Sequence, residues 1–249
     1  MRQHKRFVLM GSTLALSILA CTVGGLAPGE GEKVRGSGNV VEETREVSDV
    51  SGVHLATIGD MTIKLADTES LRIEADDNLM DYLETEVRGG KLTIKTASNV
   101  RLDPTKRIRY TLQVTGLDTI NVSSVGDIQA PDLDAEQFSI TISSTGDLTL
   151  DKLNADKLDV AMSSTGSLNI KGGEVRVQKV TISSTGNYTA GDLASDEAEL
   201  RLSSTGSATI WARETLKANL SSTGDLRYRG HPTVDATKTS TGDVIPIRE

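Results

Sequence analysis

The chain has 249 residues, 27 of them basic and 35 acidic, for a net charge of −8, and only 3% are aromatic. Acidic charge spread along the chain disfavours nucleic acid and anionic lipid headgroups as partners and does not point to disorder. The single cysteine rules out an intramolecular disulfide, and the low aromatic content leaves few candidates for sugar-stacking platforms.

Arg2, Lys5 and Arg6 precede the apolar run Phe7–Ala20, which is too short to span a bilayer comfortably and reads as a targeting segment. It ends Ile18-Leu19-Ala20-Cys21, which resembles a bacterial lipobox: an aliphatic residue, a small residue at the cut, then the only cysteine. That likeness implies a lipoprotein signal peptide over residues 1–20 and a diacylglyceryl group on Cys21, which becomes the new N-terminus. The alternative is an ordinary signal peptide with an incidental cysteine. Cleavage removes three basic residues and no acidic ones, leaving a more acidic mature chain. Thr22 is not the Asp that marks inner-membrane retention in enteric bacteria. The expected location is therefore the bacterial envelope, on the outer membrane or the outer face of the cell membrane. Residues 21–35, rich in Gly and Glu, read as a flexible tether with a reach of about 20 Å.

Residues 36–249 read as one domain, with irregular N-terminal coils over 36–115 and regular repeats over 116–249. Strands are expected at Val53–Thr57, Met61–Leu65, Ser70–Ala75, Lys91–Thr96 and Arg107–Val114. Asp76-Asp77-Asn78, placed before Leu79, Tyr82 and Leu83, is expected to cap one short helix. No polar linker near residue 115 separates this region from the regular repeats.

The rest of the chain is organised by Ser143-Ser144-Thr145-Gly146-Asp147-Leu148, which recurs from Ser123, Ser163, Ser183, Ser203, Ser221 and Thr239. The period is 20 residues, then 18 for the last two steps. Such a period means one structural unit stacked on itself. It is too short for a sheet-and-helix unit and suits one coil of an all-β solenoid of about 20 residues. Apolar residues alternate on both sides of each copy, as in Leu158, Val160, Met162, then Leu168 and Ile170. The parity carries through the Ser and Gly of the repeat, so one strand is expected to bend sharply into the next. The second Ser (Ser124, Ser144, Ser164, Ser184, Ser204, Ser222, Ser240) and the Gly then face inward, Gly because it lacks a Cβ and tolerates positive φ. The first Ser and the Thr form outward columns. Tyr188 and Tyr228 have inward parity, Trp211 outward parity. Pro246, and Lys238 at an inward position, would blunt the far end.

Several segments match a known family: Gly36-Ser37-Gly38-Asn39-Val40, Arg45-Glu46-Val47, Asn78-Leu79, Gly90-Lys91-Leu92-Thr93-Ile94, the Ser-x-Gly-Asp turns, and Gly224 to Pro232. Over about residues 36–245 the chain resembles the bacterial "putative auto-transporter adhesin, head GIN domain" family. The resemblance implies an exported, often lipid-anchored protein with a right-handed β-helical fold. It carries no catalytic residues over. The family more often has Ser-Gly-Ser-Gly where this chain has Ser-Ser-Thr-Gly.

Chemistry is sparse. Seven near-equivalent serine copies argue for structure, since a nucleophile needs a dedicated base and an oxyanion hole. His54 and His231 lack metal-ligand spacing and read as surface residues. Asp127 with Asp147, and Asp225 with Asp243, fall one coil apart and could hold a cation, against the plainer reading of turn residues chosen for backbone hydrogen bonding. No catalytic residue, metal ligand or cofactor is assigned. The reading is a non-enzymatic envelope lipoprotein, an adhesin or scaffold held to a membrane through Cys21, facing an envelope glycan or protein and not nucleic acid. The competing readings are a carbohydrate-active enzyme on the same scaffold, acting through clustered carboxylates, and an envelope sensor.

Overall fold

The computed structural model describes residues 31–123, 125–221 and 223–248. The expected signal peptide, Cys21, most of the expected tether, Ser124 and Ser222 lie outside the described residues. In chain order the strands are β1 (Glu32–Arg35), β2 (Val40–Glu46), β3 (Gly52–Ala56), β4 (Asp60–Leu65), β5 (Ser70–Asp76), β6 (Leu83–Arg88), β7 (Lys91–Thr96), β8 (Val100–Asp103), β9 (Arg109–Val114) and β10 (Thr119–Val122). The repeats comprise β11 (Ile128–Ile142), β12 (Leu148–Met162), β13 (Leu168–Ile170), β14 (Gly173–Ile182), β15 (Tyr188–Leu202), β16 (Ala208–Leu220), β17 (Leu226–Arg229), β18 (Thr233–Lys238) and β19 (Val244–Pro246).

These strands build the β-solenoid that the period implies. Each Ser-x-x-Gly segment marks the corner between two walls. One wall runs β6–β7–β3–β10 and on through the C-terminal parts of β11, β12, β14, β15 and β16 to β18. The other runs β2–β5–β9–β4, then through the N-terminal parts of the long strands to β17 and β19. In the repeats all pairing is parallel, with Ile140 on Val160 on Val180 on Leu200 on Ala218; the register shifts only within β15–β16, between Ala190 and Ala194 and between Ser195 and Glu197. One coil therefore places each apolar side chain directly on its counterpart. All five are buried, and a fully buried Ile or Leu contributes about 1.5–3 kcal/mol relative to an exposed one.

The early region continues these columns more fully than its weak repeat suggests. Val53 in β3 sits between Ile120 and Leu92, and Met61 in β4 between Ile128 and Tyr110. Beyond β7 and β9 the pairing turns antiparallel, through β6, β5 and β2. The β6–β7 hairpin turns on Gly89 and Gly90, whose φ values are +54° and +77°, as a tight two-residue hairpin requires. Residues 32–35, expected in the tether, form β1 and pair in parallel with β8.

The expected short helix is a 3₁₀ turn, Asp77–Tyr82, that buries Leu79 and Met80 under this end of the stack. Asp76 does not cap it by a side-chain bond. Its inaccessible carboxylate instead accepts the Gly38 and Thr105 backbone N–H groups at 2.8 Å each and the Thr105 hydroxyl. Burial pushes this carboxyl up, but the hydrogen bonds from Thr105 and Gly38 outweigh that and hold it below the usual carboxylate range. Asn78 accepts the Ser37 N–H and donates to Arg35 O, so Gly36 to Asn39 is latched onto the 3₁₀ turn. A Cβ on Gly36 would stand 2.2 Å from Asp76 Oδ2. Arg45 reaches across to the carbonyls of Met80 and Leu83.

The two ends differ. Antiparallel strands and the 3₁₀ turn cover the first. At the other, β18 is exposed along its length, with Val234 at 38%. Lys238 takes the register position of Leu220, as its parity implies, but lies at the surface paired with Asp243 at 2.7 Å.

Candidate functional site

The most regular feature outside the core is the corner of the coil. Of the two causes expected for the inward Gly, the missing Cβ holds and the positive φ does not. No positive φ occurs at Gly126, Gly146, Gly166, Gly186, Gly206 or Gly224. A Cβ on any of them would instead stand 1.8–2.2 Å from the carbonyl oxygen of the Gly one coil earlier. Backbone packs directly on backbone along this line, which is why every coil needs Gly. Next to it, Ser144 and Ser184 are buried, whereas Ser164 and Ser204 are half-buried.

The acidic column has a structural task. Asp127 N–H donates to Asp60 Oδ1, Asp147 N–H to Asp127 Oδ1, and Ser167 N–H to Asp147 Oδ1, at 3.1, 3.1 and 2.7 Å. Ser207 N–H donates to Asn187 Oδ1, Asp225 N–H to Ser207 Oγ, and Asp243 N–H to Asp225 Oδ1. Every side chain of the column from Asp60 to Asp225 except Ser167 thus accepts the backbone N–H of its successor one coil on, satisfying a donor that the bend frees from the ladder. Asp, Asn and Ser all qualify, which accounts for the mixed column. In the Asp127/Asp147 and Asp225/Asp243 pairs, the first carboxylate is occupied in this way. Among the described residues, no group of three or more His, Cys, Asp or Glu is placed to hold a metal ion.

Outside the Gly line run two hydroxyl rails. Ser143, Ser163, Ser183, Ser203 and Ser221 form one, all exposed, and four of them (all but Ser163) direct Oγ to a carbonyl of the preceding coil at 3.4–3.5 Å. Thr145, Thr165, Thr185, Thr205, Thr223 and Thr241 form the other, all exposed. These Thr hydroxyls make no hydrogen bond to any described residue. Val125 breaks the Thr rail at its first rung and is 63% exposed. Rungs repeat at about 4.8 Å, the spacing of paired strands. The rails offer many uncharged donors and acceptors at fixed intervals.

One serine does have a histidine beside it. β3 and β10 are adjacent, and His54 Nε2 lies 2.7 Å from Ser123 Oγ. His54 is half-buried, not a solvated surface residue, and burial, with Lys91 second, holds its imidazole below the ordinary value. The pair lacks the rest of a nucleophilic site: Nδ1 has no partner among the described residues, and Ser123 N–H is committed to Leu55 O. His231 is exposed near the open end. Tyr188 is buried and Tyr228 partly buried, as their parity implies. Trp211 faces outward, half-exposed, with the Arg213 guanidinium 5.7 Å from its ring centre.

A group missed by sequence reasoning is a depression of about 660 Å³ bordered by Asp49, Glu69, Asp118, Asp134 and Glu136. None of the five has an ion-pair partner among the described residues. Glu69 accepts the Val50 N–H, Asp118 the Thr119 hydroxyl and Asp134 the Asn154 amide. Their separation in sequence, from 49 to 136, hid them.

A parallel β-solenoid of this kind is a stack of units that each contact only their neighbours. This chain is a member of the family described as "Putative auto-transporter adhesin, head GIN domain", whose model matches residues 49–232. Solved structures that share the fold include the following three. A putative adhesin from Bacteroides fragilis superposes with TM-score 0.81 at 20% identity, covering 86% of this chain and all of the other. A putative lipid binding protein from Parabacteroides distasonis gives 0.72 at 22%, covering 87% and 100%. A putative adhesin from Parabacteroides merdae gives 0.67 at 20%, covering 87% and 99%. No curated protein matches the chain. Among the described residues no helix is long and apolar enough to cross a membrane.

Proposed function

We propose that the protein is a non-enzymatic lipoprotein of the bacterial envelope, anchored through Cys21, that presents the solenoid as an adhesin or scaffold to an envelope glycan or protein. The observation that carries this is the pair of hydroxyl rails, unbroken from Thr145 to Thr241 and without charge. Such a surface binds through many weak, equivalent contacts, and tethered copies on one membrane add avidity. Family membership supports an adhesive role outside the cytoplasm. The lipobox-like Ile18-Leu19-Ala20-Cys21 supports the anchor. Labelled palmitate fed to a bacterial host tests it: wild type takes up label and Cys21→Ser does not. A glycan and envelope-component screen on the soluble chain tests the binding. The carboxylates around Asp118 and Asp134 favour a second reading, a carbohydrate-active enzyme; polysaccharide turnover lost on Asp118→Asn would establish that one instead.

A further inference from the structure

We propose that two copies of this chain pair face to face and antiparallel through the outer surface of the β11–β18 wall, and that this pairing joins molecules on opposing membranes. The membrane part rests on the anchored-adhesin reading above; the pairing itself does not.

The centre of that wall is a column of alternating sign. Register places Asp159, Lys179, Glu199, Lys217 and Asp235 one above another, each at the outer surface. Alternation relieves repulsion within one molecule: Lys179 lies 3.8 Å from Glu199, which Arg201 also meets at 3.0 Å, and Asp159 pairs with Lys157 in the flanking column. It leaves Lys217 and Asp235 without an ion pair among the described residues. The same alternation decides how a second copy can approach. A twofold axis along the strands, between the coils of Lys179 and Glu199, sets Lys179 opposite the second copy's Glu199 and Asp159 opposite its Lys217. With the symmetry-related contacts, that makes four opposite-sign pairs. Shifting the axis by half a coil step in either direction sets Lys179 on Lys179, or Glu199 on Glu199. A twofold axis along the solenoid and over this column sets every charge of the column on its own copy. Parallel pairing centred on this column is therefore repelled. An antiparallel axis one step on, between the coils of Glu199 and Lys217, also makes four opposite-sign pairs but overlaps four coils instead of six, so the register with full overlap is the one selected.

Shape agrees with charge. Ala161 is the smallest side chain of the neighbouring outward column, and the wall is hollowed around it by a depression of about 390 Å³. The selected register sets Asn219 of the other copy opposite Ala161. Six coils by about seven residues give roughly 1,100 Å² of total buried surface, at the low end for a specific complex and suited to a weak, reversible contact.

The geometry fixes the direction of the tethers. β1 pairs with β8, which directly follows β7, so each chain leaves its solenoid at the covered end. The ten strands of this wall span about 43 Å. In the antiparallel pair the two tethers therefore emerge at opposite ends, as between two facing membranes. Neighbours in one membrane, with parallel axes, meet the like-charge arrangement.

Charge exchange tests this in the chain from residue 22 onward, which carries the whole described fold. Sedimentation equilibrium at low salt should show wild type self-associating, weakening as salt is raised. Lys179→Glu alone and Glu199→Lys alone should each weaken association at least about tenfold. An equimolar mixture of the two variants should restore it to within about threefold of wild type, because each then meets its complement. Mixing cannot repair damage inside a single molecule, so recovery is specific to the interface. A wild type that stays monomeric, or variants that fail to rescue each other, overturns the pairing while leaving the glycan screen and the anchor to stand or fall separately. For the membrane part, vesicles carrying the N-terminally tethered wild type should cluster, and vesicles carrying Lys179→Glu should cluster only with those carrying Glu199→Lys. Clustering that ignores these charges overturns it.

Discussion

Gly166→Val puts the axial backbone packing to the test. A Cβ at residue 166 would stand 2.2 Å from Gly146 O and 2.9 Å from Ser144 O, and both are backbone atoms that cannot rotate away. Relief to ordinary contact requires the two coils to part by more than about 1 Å, which also strains the 3.1 Å hydrogen bond from Gly166 N–H to Ser144 O. Overpacking of about 1–3 kcal/mol plus one lost buried hydrogen bond of about 1 kcal/mol gives a loss of roughly 2–4 kcal/mol. Two controls separate this cause from general fragility. A Cβ on Gly172 would meet only Asp192 O at 3.9 Å, and its φ is unremarkable, so Gly172→Ala should shift stability by under about 1 kcal/mol. Thr165→Val, on the exposed rail, should also cost under about 1 kcal/mol. Urea titration monitored by far-ultraviolet circular dichroism reads all three. Equal losses at Gly166 and Gly172 would refute the close-approach account of the repeat glycine.

The acidic column predicts that Asp147→Asn leaves stability within about 0.5 kcal/mol, because an amide oxygen accepts the Ser167 N–H as Asn187 already does for Ser207, whereas Asp147→Ala loses about 1 kcal/mol; the same titration checks both. Asp76 predicts an acid-sensitive latch. Its carboxyl is held below the usual range, so its contribution is complete above the unfolded value near pH 4 and is lost as pH falls through the lower folded value. Asp76→Asn should therefore be less stable than wild type at neutral pH, with the difference shrinking toward pH 2–3, as thermal melts across pH would show. Palmitate incorporation lost on Cys21→Ser is the expected outcome for the anchor.

The regular repeats were legible because one face points inward on every coil, so period two and period 20 reinforce each other from Ile140 to Leu226. The early strands were legible as strands, though not in their direction: alternation looks the same whether β5 pairs parallel or antiparallel. Gly36 to Asn39 read only as a family motif, because its partners Asp76, Asp77 and Asn78 lie some 40 residues on. The Ser123 and His54 contact is separated by 69 residues and exists only through the β3–β10 pairing. Buried Gln178 was equally hidden, since its amide is satisfied by Ser195 and Tyr188 from the next coil. In each case the strands could be read locally, while the chemistry depended on which coil lands on which.

The central claim is that the hydroxyl rails bind a ligand without turning it over, and its most direct measurement is a binding screen against glycans and envelope components with the chain both free and arrayed on beads. The account predicts weak binding by the free chain, strengthened on the array and reduced by Thr165→Lys with Thr185→Lys on the exposed rail. Consumption of a bound polysaccharide, or binding indifferent to both rail substitutions, would contradict it.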